Sequence, residues 1–126
     1  MSRTALIVED TPMASTPLEV ALSGIDNLEI FVVTDGQKAL EYLDGESGKN
    51  VCAVLTDLNM PTLDGYELIA NLRARKCYMN LPVVVLSGST ERGAARRSIE
   101  IGANAFFAKP YSPSEVKRKL EELLRG

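Results

Sequence analysis

The 126-residue chain contains no histidine. That absence removes imidazole-based catalytic triads, the common zinc constellations and any phosphohistidine carried on the chain itself. Cysteine is nearly as scarce: Cys52 lies inside an apolar run and Cys77 follows a helical stretch. The two have neither CxxC spacing nor companion ligands, so core or incidental thiols are expected rather than a disulfide or a zinc site. No apolar run is long enough to span a bilayer, and Met1 to Val8 is broken too early by Glu9-Asp10 to be a signal peptide. The expectation is a cytoplasmic protein with no membrane partner. A net charge of −3 gives no electrostatic case for direct nucleic-acid binding. Neither GxxxxGK followed by Ser or Thr nor GxGxxG occurs, which weakens any nucleotide-binding reading. Gly and Pro are scattered, with no linker, low-complexity tail or internal repeat.

What is present is 45% hydrophobic residues, enough for one globular domain over residues 1–126. Five short apolar runs read as strands: TALIV (4–8), LEIFVV (28–33), VCAVLT (51–56), PVVVL (82–86) and AFFA (105–108). Several lack the polar alternation of a one-sided sheet and are rich in Val and Ile, as expected of strands covered on both faces. Between them lie amphipathic segments, with Leu40 and Leu43 in the second, Ile69 and Leu72 in the third, and Val116, Leu120, Leu123 and Leu124 in the last. Alternating β and α elements over this length predict an α/β domain with a doubly wound parallel sheet. Helix starts are marked by Ser112-Pro113-Ser114-Glu115 and by Asp64-Gly65-Tyr66-Glu67. The first helix is less regular. Pro12 and Pro17 interrupt its start, and Thr16-Pro17-Leu18-Glu19 predicts a fresh, late N-terminus.

In an open parallel sheet, polar groups at the carboxyl ends of strands converge on a crevice. Here the first strand ends in Glu9-Asp10, the third in Asp57, the fourth in Ser87 and the fifth in Lys109-Pro110. Taken singly, each has an ordinary structural role as a turn, cap or solvated residue. Taken together, three carboxylates at one edge would repel unless a cation balanced them, and a hard ion such as Mg2+ takes oxygen ligands of this kind. Asp57 is then the candidate nucleophile, because carboxylates form acyl phosphates. Lys109 and Ser87 would pair with phosphoryl oxygens.

The stretches LIVED (6–10), LTDLNMPTLDGYEL (55–68), PVVVLSG (82–88) and GANAFFAKPY (102–111) closely resemble the receiver domain of two-component response regulators, of the stand-alone chemotaxis type. The resemblance covers essentially the whole chain. It implies a flavodoxin-like (βα)5 domain with strand order 2-1-3-4-5, in which Asp57 accepts a phosphoryl group from a histidine kinase or histidine phosphotransfer protein. It further implies that Glu9, Asp10, Asp57 and the backbone carbonyl of Asn59 hold Mg2+, that Ser87 and Phe106 form a switch, and that Lys109-Pro110 is a cis peptide. Asn59 and Ser89 match positions linked to hydrolysis rate. Output would pass through the face of the fourth helix, fifth strand and fifth helix to a downstream protein or output domain. Arg92, Arg96 and Arg97, read as part of the fourth helix, are either a solvated face or a basic docking patch.

Two rivals bear on the same residues. A dehalogenase-type phosphatase also uses an Asp nucleophile after a strand, but wants a second carboxylic acid two residues later, where this chain has Asn59. A receiver-like interaction module that works without phosphorylation is the other, kept open by the altered first helix.

Overall fold

The computed structural model describes residues 3–88 and 92–125. Five strands, β1 (Arg3–Val8), β2 (Leu28–Val33), β3 (Val51–Thr56), β4 (Val83–Ser87) and β5 (Ala105–Ala108), form one sheet in the order β2-β1-β3-β4-β5. Every pairing is parallel. Helices α1 (Pro12–Leu22), α2 (Gly36–Asp44), α3 (Gly65–Arg73), α4 (Ala94–Glu100) and α5 (Pro113–Arg125) connect them. This is the doubly wound parallel sheet that the residue pattern predicts, in the flavodoxin-like strand order that the resemblance implies. Strand boundaries move by one residue at three places: β1 begins at Arg3, and β4 begins at Val83 and ends at Ser87; Pro82 has no N–H for the ladder, while its carbonyl still accepts from Val54.

Strand residues divide by parity between two cores. Leu6, Val8, Val54, Val83 and Val85 pack with Leu40, Leu43, Leu68, Ile69 and Leu72 on one face. Ala5, Ile7, Ala53, Leu55, Val84 and Leu86 pack with Leu18, Leu22, Val116 and Leu120 on the other. Because both faces are covered, β4 is buried at every position, which is why it reads as a continuous apolar run.

The first helix corrects the expectation of a late start. It begins at Pro12, which occupies the first turn, and continues through Pro17. Thr16 caps nothing; its hydroxyl bonds back to the Pro12 carbonyl at 2.9 Å. An interior Pro costs about 3 kcal/mol. Burial offsets it: Leu18 and Leu22 are 1% and 0% exposed, and each fully buried Leu contributes roughly 1.5–3 kcal/mol. The fourth helix is also shorter than the sequence suggests, since Arg92 lies in the turn before it and Gly93, at φ +86°, precedes its first residue.

The segment after β3 is held by a glycine. Asp64 and Glu67 form the reciprocal capping box expected at the start of α3. Between them, Gly65 donates to the Leu58 carbonyl at 2.9 Å, and a Cβ at residue 65 would lie 2.3 Å from the Asp57 carbonyl oxygen. The helix therefore packs directly on the backbone that carries Asp57. Gly65→Ala is expected to destabilise the protein by about 1–3 kcal/mol, the usual penalty of overpacking, read as a lower urea midpoint with an unchanged slope. An unchanged midpoint would show that this contact is not tight.

Candidate functional site

The sheet order reverses direction between β1 and β3, and the candidate residues gather at the carboxyl ends of these strands and of β4 and β5. Ladder bonds that continue one residue past each strand fix them. Glu9 N–H donates to the Val33 carbonyl at 2.9 Å, Asp57 N–H to that of Val8 at 3.1 Å, and Lys109 N–H to that of Ser87 at 2.7 Å. Each functional backbone is thus tied to the neighbouring strand. The Thr56 hydroxyl adds a bond to the Asp57 carbonyl at 2.8 Å.

The side chains meet at one ammonium. Lys109 Nζ lies 2.9 Å from Glu9 Oε1 and 2.9 Å from Asp57 Oδ2. Both carboxylates are buried, and each has its second oxygen engaged by a backbone N–H: Glu9 Oε2 by Thr11 at 3.2 Å, and Asp57 Oδ1 by Asn59 at 3.1 Å. Ser87, at the end of β4, is fully buried. Asp10 is exposed at the rim, where its carboxylate accepts from the Thr11 hydroxyl. Among the described residues no three carboxylate, thiol or imidazole groups are gathered into a metal cage. The donor set is nevertheless oxygen-only, with two buried carboxylates facing a single ammonium and a third acid next to them. That chemistry fits a hard divalent cation.

Burial is the dominant influence on Glu9 and raises its pKa; the hydrogen bond and charge of Lys109 act the other way without cancelling it. For Lys109, burial pulls the pKa down, but the bonds to Glu9 and Asp57 outweigh it and hold the ammonium above the ordinary lysine value. Tyr111, half-buried and also raised chiefly by burial, lines a narrow crevice behind Asp57 with Ser15, Leu18 and Leu86.

The Lys109-Pro110 peptide is cis. Asn59 is exposed beside Asp57, and Phe106 is half-buried against the core on the α2, α3 and α4 side. Ser89 falls outside the described residues. Of the arginines, Arg96 pairs with Glu100 at 2.8 Å, and Arg97 lies over the ring of Tyr66 with its guanidinium carbon 3.8 Å from the centroid. Thr11 and Tyr111 were not legible as site residues in the sequence. Thr11 acts through its backbone N–H, which carries no sequence signal, whereas Tyr111 directly follows Lys109-Pro110 and could have been flagged from that position.

A family model described as the response regulator receiver domain matches residues 5–121. A chemotaxis protein CheY homolog of Campylobacter jejuni is 26% identical over 119 residues, covering 94% of this chain and 90% of that protein. A two-component response regulator of rice, Oryza sativa, is 35% identical over 107 residues, covering 82% and 78%. The crystal structure of the receiver domain of a Pseudomonas aeruginosa sensor histidine kinase, with a magnesium ion coordinated in its active-site cleft, is 26% identical with a TM-score of 0.85 and full coverage of both chains.

The geometry predicts how the pair responds to pH in metal-free protein. Because the folded pKa of Glu9 is raised, its ionisation works against folding: stability is greatest below the unfolded carboxylate value and falls as pH rises through the folded one. Lys109→Met removes what opposes this shift. The Glu9 carboxyl, followed by NMR, should titrate higher in the variant, and the variant should be less stable at pH 7 by about 3 kcal/mol. That deficit should shrink on acidification through the carboxylate range. A pH-independent deficit would show that Lys109 acts by packing alone.

Proposed function

The chain belongs to the response regulator receiver family, and from that membership we propose that it is a phosphorylation-activated switch of a two-component phosphorelay with Asp57 as the phosphoacceptor. The observation that supports this most directly is the meeting of Glu9 and Asp57 on Lys109 Nζ, both at 2.9 Å, at the crevice where the sheet order reverses. These 126 residues hold no histidine, so the donor histidine lies outside this domain, on a histidine kinase or histidine phosphotransfer protein.

In this reading an Asp57 carboxylate oxygen attacks the phosphorus of the donor phosphohistidine. The new O–P bond forms as the N–P bond breaks, and the electron pair stays with the imidazole nitrogen, which takes a proton from solvent. Lys109 neutralises the incoming phosphoryl group from the position where it already balances Asp57, and the Ser87 hydroxyl donates to a second phosphoryl oxygen. Glu9, Asp10, Asp57 and the Asn59 carbonyl would hold a magnesium ion, which supplies further charge neutralisation when bound. Hydrolysis of the acyl phosphate resets the domain, at a rate tuned by Asn59 and Ser89.

The aspartyl phosphate brings roughly one to two added negative charges. Drawing Ser87 toward them opens space for Phe106, and the face formed by α4, β5 and α5 changes for a downstream protein target. Among the described residues no helix is long and apolar enough to cross a membrane.

Intact mass after incubation with acetyl phosphate and Mg2+ tests the assignment. One phosphoryl adduct is expected for the wild type, and none for Asp57→Asn or in the presence of a chelator. Absence of an adduct from wild-type protein with Mg2+ bound would favour an interaction module that works without phosphorylation.

A further inference from the structure

The contact between Arg97 and Tyr66 joins α4 to α3, and among the described residues α4 buries little of its own side-chain surface. Its buried residues are only Ala94 and Ser98; the Ser98 hydroxyl is turned back to the Ala94 carbonyl at 2.8 Å, and Ile99 is 49% exposed. Among the described residues no side chain caps its N-terminus. Against this, the Arg97 guanidinium stacks 3.8 Å from the Tyr66 centroid, a favourable cation–π arrangement. The same tyrosine carries an opposing feature. Its hydroxyl is buried and, among the described residues, finds no hydrogen-bond partner, so the closed arrangement bears the desolvation cost of an unsatisfied polar group.

We propose that Tyr66 and Arg97 form a two-part latch that sets how readily α4 leaves α3: the ring holds Arg97 and the helix, and the unpaired hydroxyl favours release into water. The link to signalling rests on the phosphoacceptor reading above. A domain whose α4 is released more readily reaches its phosphorylated conformation more readily, because phosphorylation shifts an equilibrium that the latch has already biased. Arg97 is then a regulatory residue of the domain itself.

The two parts predict opposite effects, which separates the latch from general destabilisation. Hydrogen exchange of the α4 amides in unphosphorylated protein should quicken about 2- to 5-fold in Arg97→Ala, the range of an exposed cation–π contact. It should slow at least about 5-fold in Tyr66→Phe, which keeps the ring and removes the unsatisfied hydroxyl. In a Tyr66→Leu background Arg97→Ala should have no further effect. Phosphoryl uptake from acetyl phosphate should follow, faster than wild type in Arg97→Ala and slower in Tyr66→Phe. Unchanged α4 exchange in Arg97→Ala, or a shift of both variants in one direction, overturns the latch. The expected exchange pattern with identical uptake rates overturns its link to activation. If wild-type protein takes up no phosphoryl group, it is the phosphoacceptor reading that fails, and the exchange results still decide whether the latch exists.

Discussion

One ammonium between two buried carboxylates sets the terms for this end of the domain. Each ion removed from water carries a desolvation cost of several kcal/mol, and two carboxylates brought together add mutual repulsion. Lys109 can answer both only if it reaches Glu9 on β1 and Asp57 on β3 from the end of β5. The sheet order makes that reach possible, because β1 and β3 are neighbours and only β4 separates β3 from β5. The order of strands and the backbone bonds that extend past each strand end both serve one charge arrangement.

For Glu9 that arrangement is not a source of stability. Its raised pKa means that burial outweighs the help Lys109 gives it, so ionisation of Glu9 works against folding, whereas the raised pKa of Lys109 means that the ammonium is favoured in the folded protein. The counterweight is the pair of apolar cores. Leu6, Ile7, Val8, Leu55 and Leu68 are each no more than 1% exposed, and at roughly 1.5–3 kcal/mol for each such side chain a few of them exceed the electrostatic cost. Electrostatic tension held at a functional edge by a stiff scaffold is how reactive groups are kept poised.

The strands and the charged site were legible in the sequence because parallel strands buried on both faces leave unbroken apolar runs, and the functional residues directly follow those runs. Asp57, Glu9 and Lys109 could be placed by counting from the ends of VCAVLT, LIV and AFFA. The first helix was not legible. Pro17 carries a strong local signal against helix, whereas the burial of Leu18 and Leu22 that overrides it is a tertiary fact. The arginines were legible as an exposed face but not in their individual placements. Arg92, Arg96 and Arg97 look alike as a charge cluster, yet one lies in a turn, one pairs with Glu100 and one stacks on Tyr66, an aromatic 31 residues away. Local composition does not encode such pairings.

The two helices that flank the Asp57 loop and the Phe106 strand differ in how firmly they are seated. Helix α3 is fixed by a complete capping box, by Leu68, Ile69 and Leu72 in the core, and by a glycine that admits no side chain between it and the Asp57 backbone. Arg73 at its end binds the Gly102 carbonyl through two nitrogens, at 3.0 and 2.7 Å. Helix α4 has two small buried residues, a left-handed glycine before its first turn and one stacked arginine. Opening free energy in a folded domain follows such differences in buried apolar contact and capping. Rigidity is therefore concentrated under Asp57, the proposed phosphoacceptor, where a displacement would be costly to the proposed chemistry. Looseness is concentrated on the neighbouring helix, which belongs to the face proposed to change on phosphorylation.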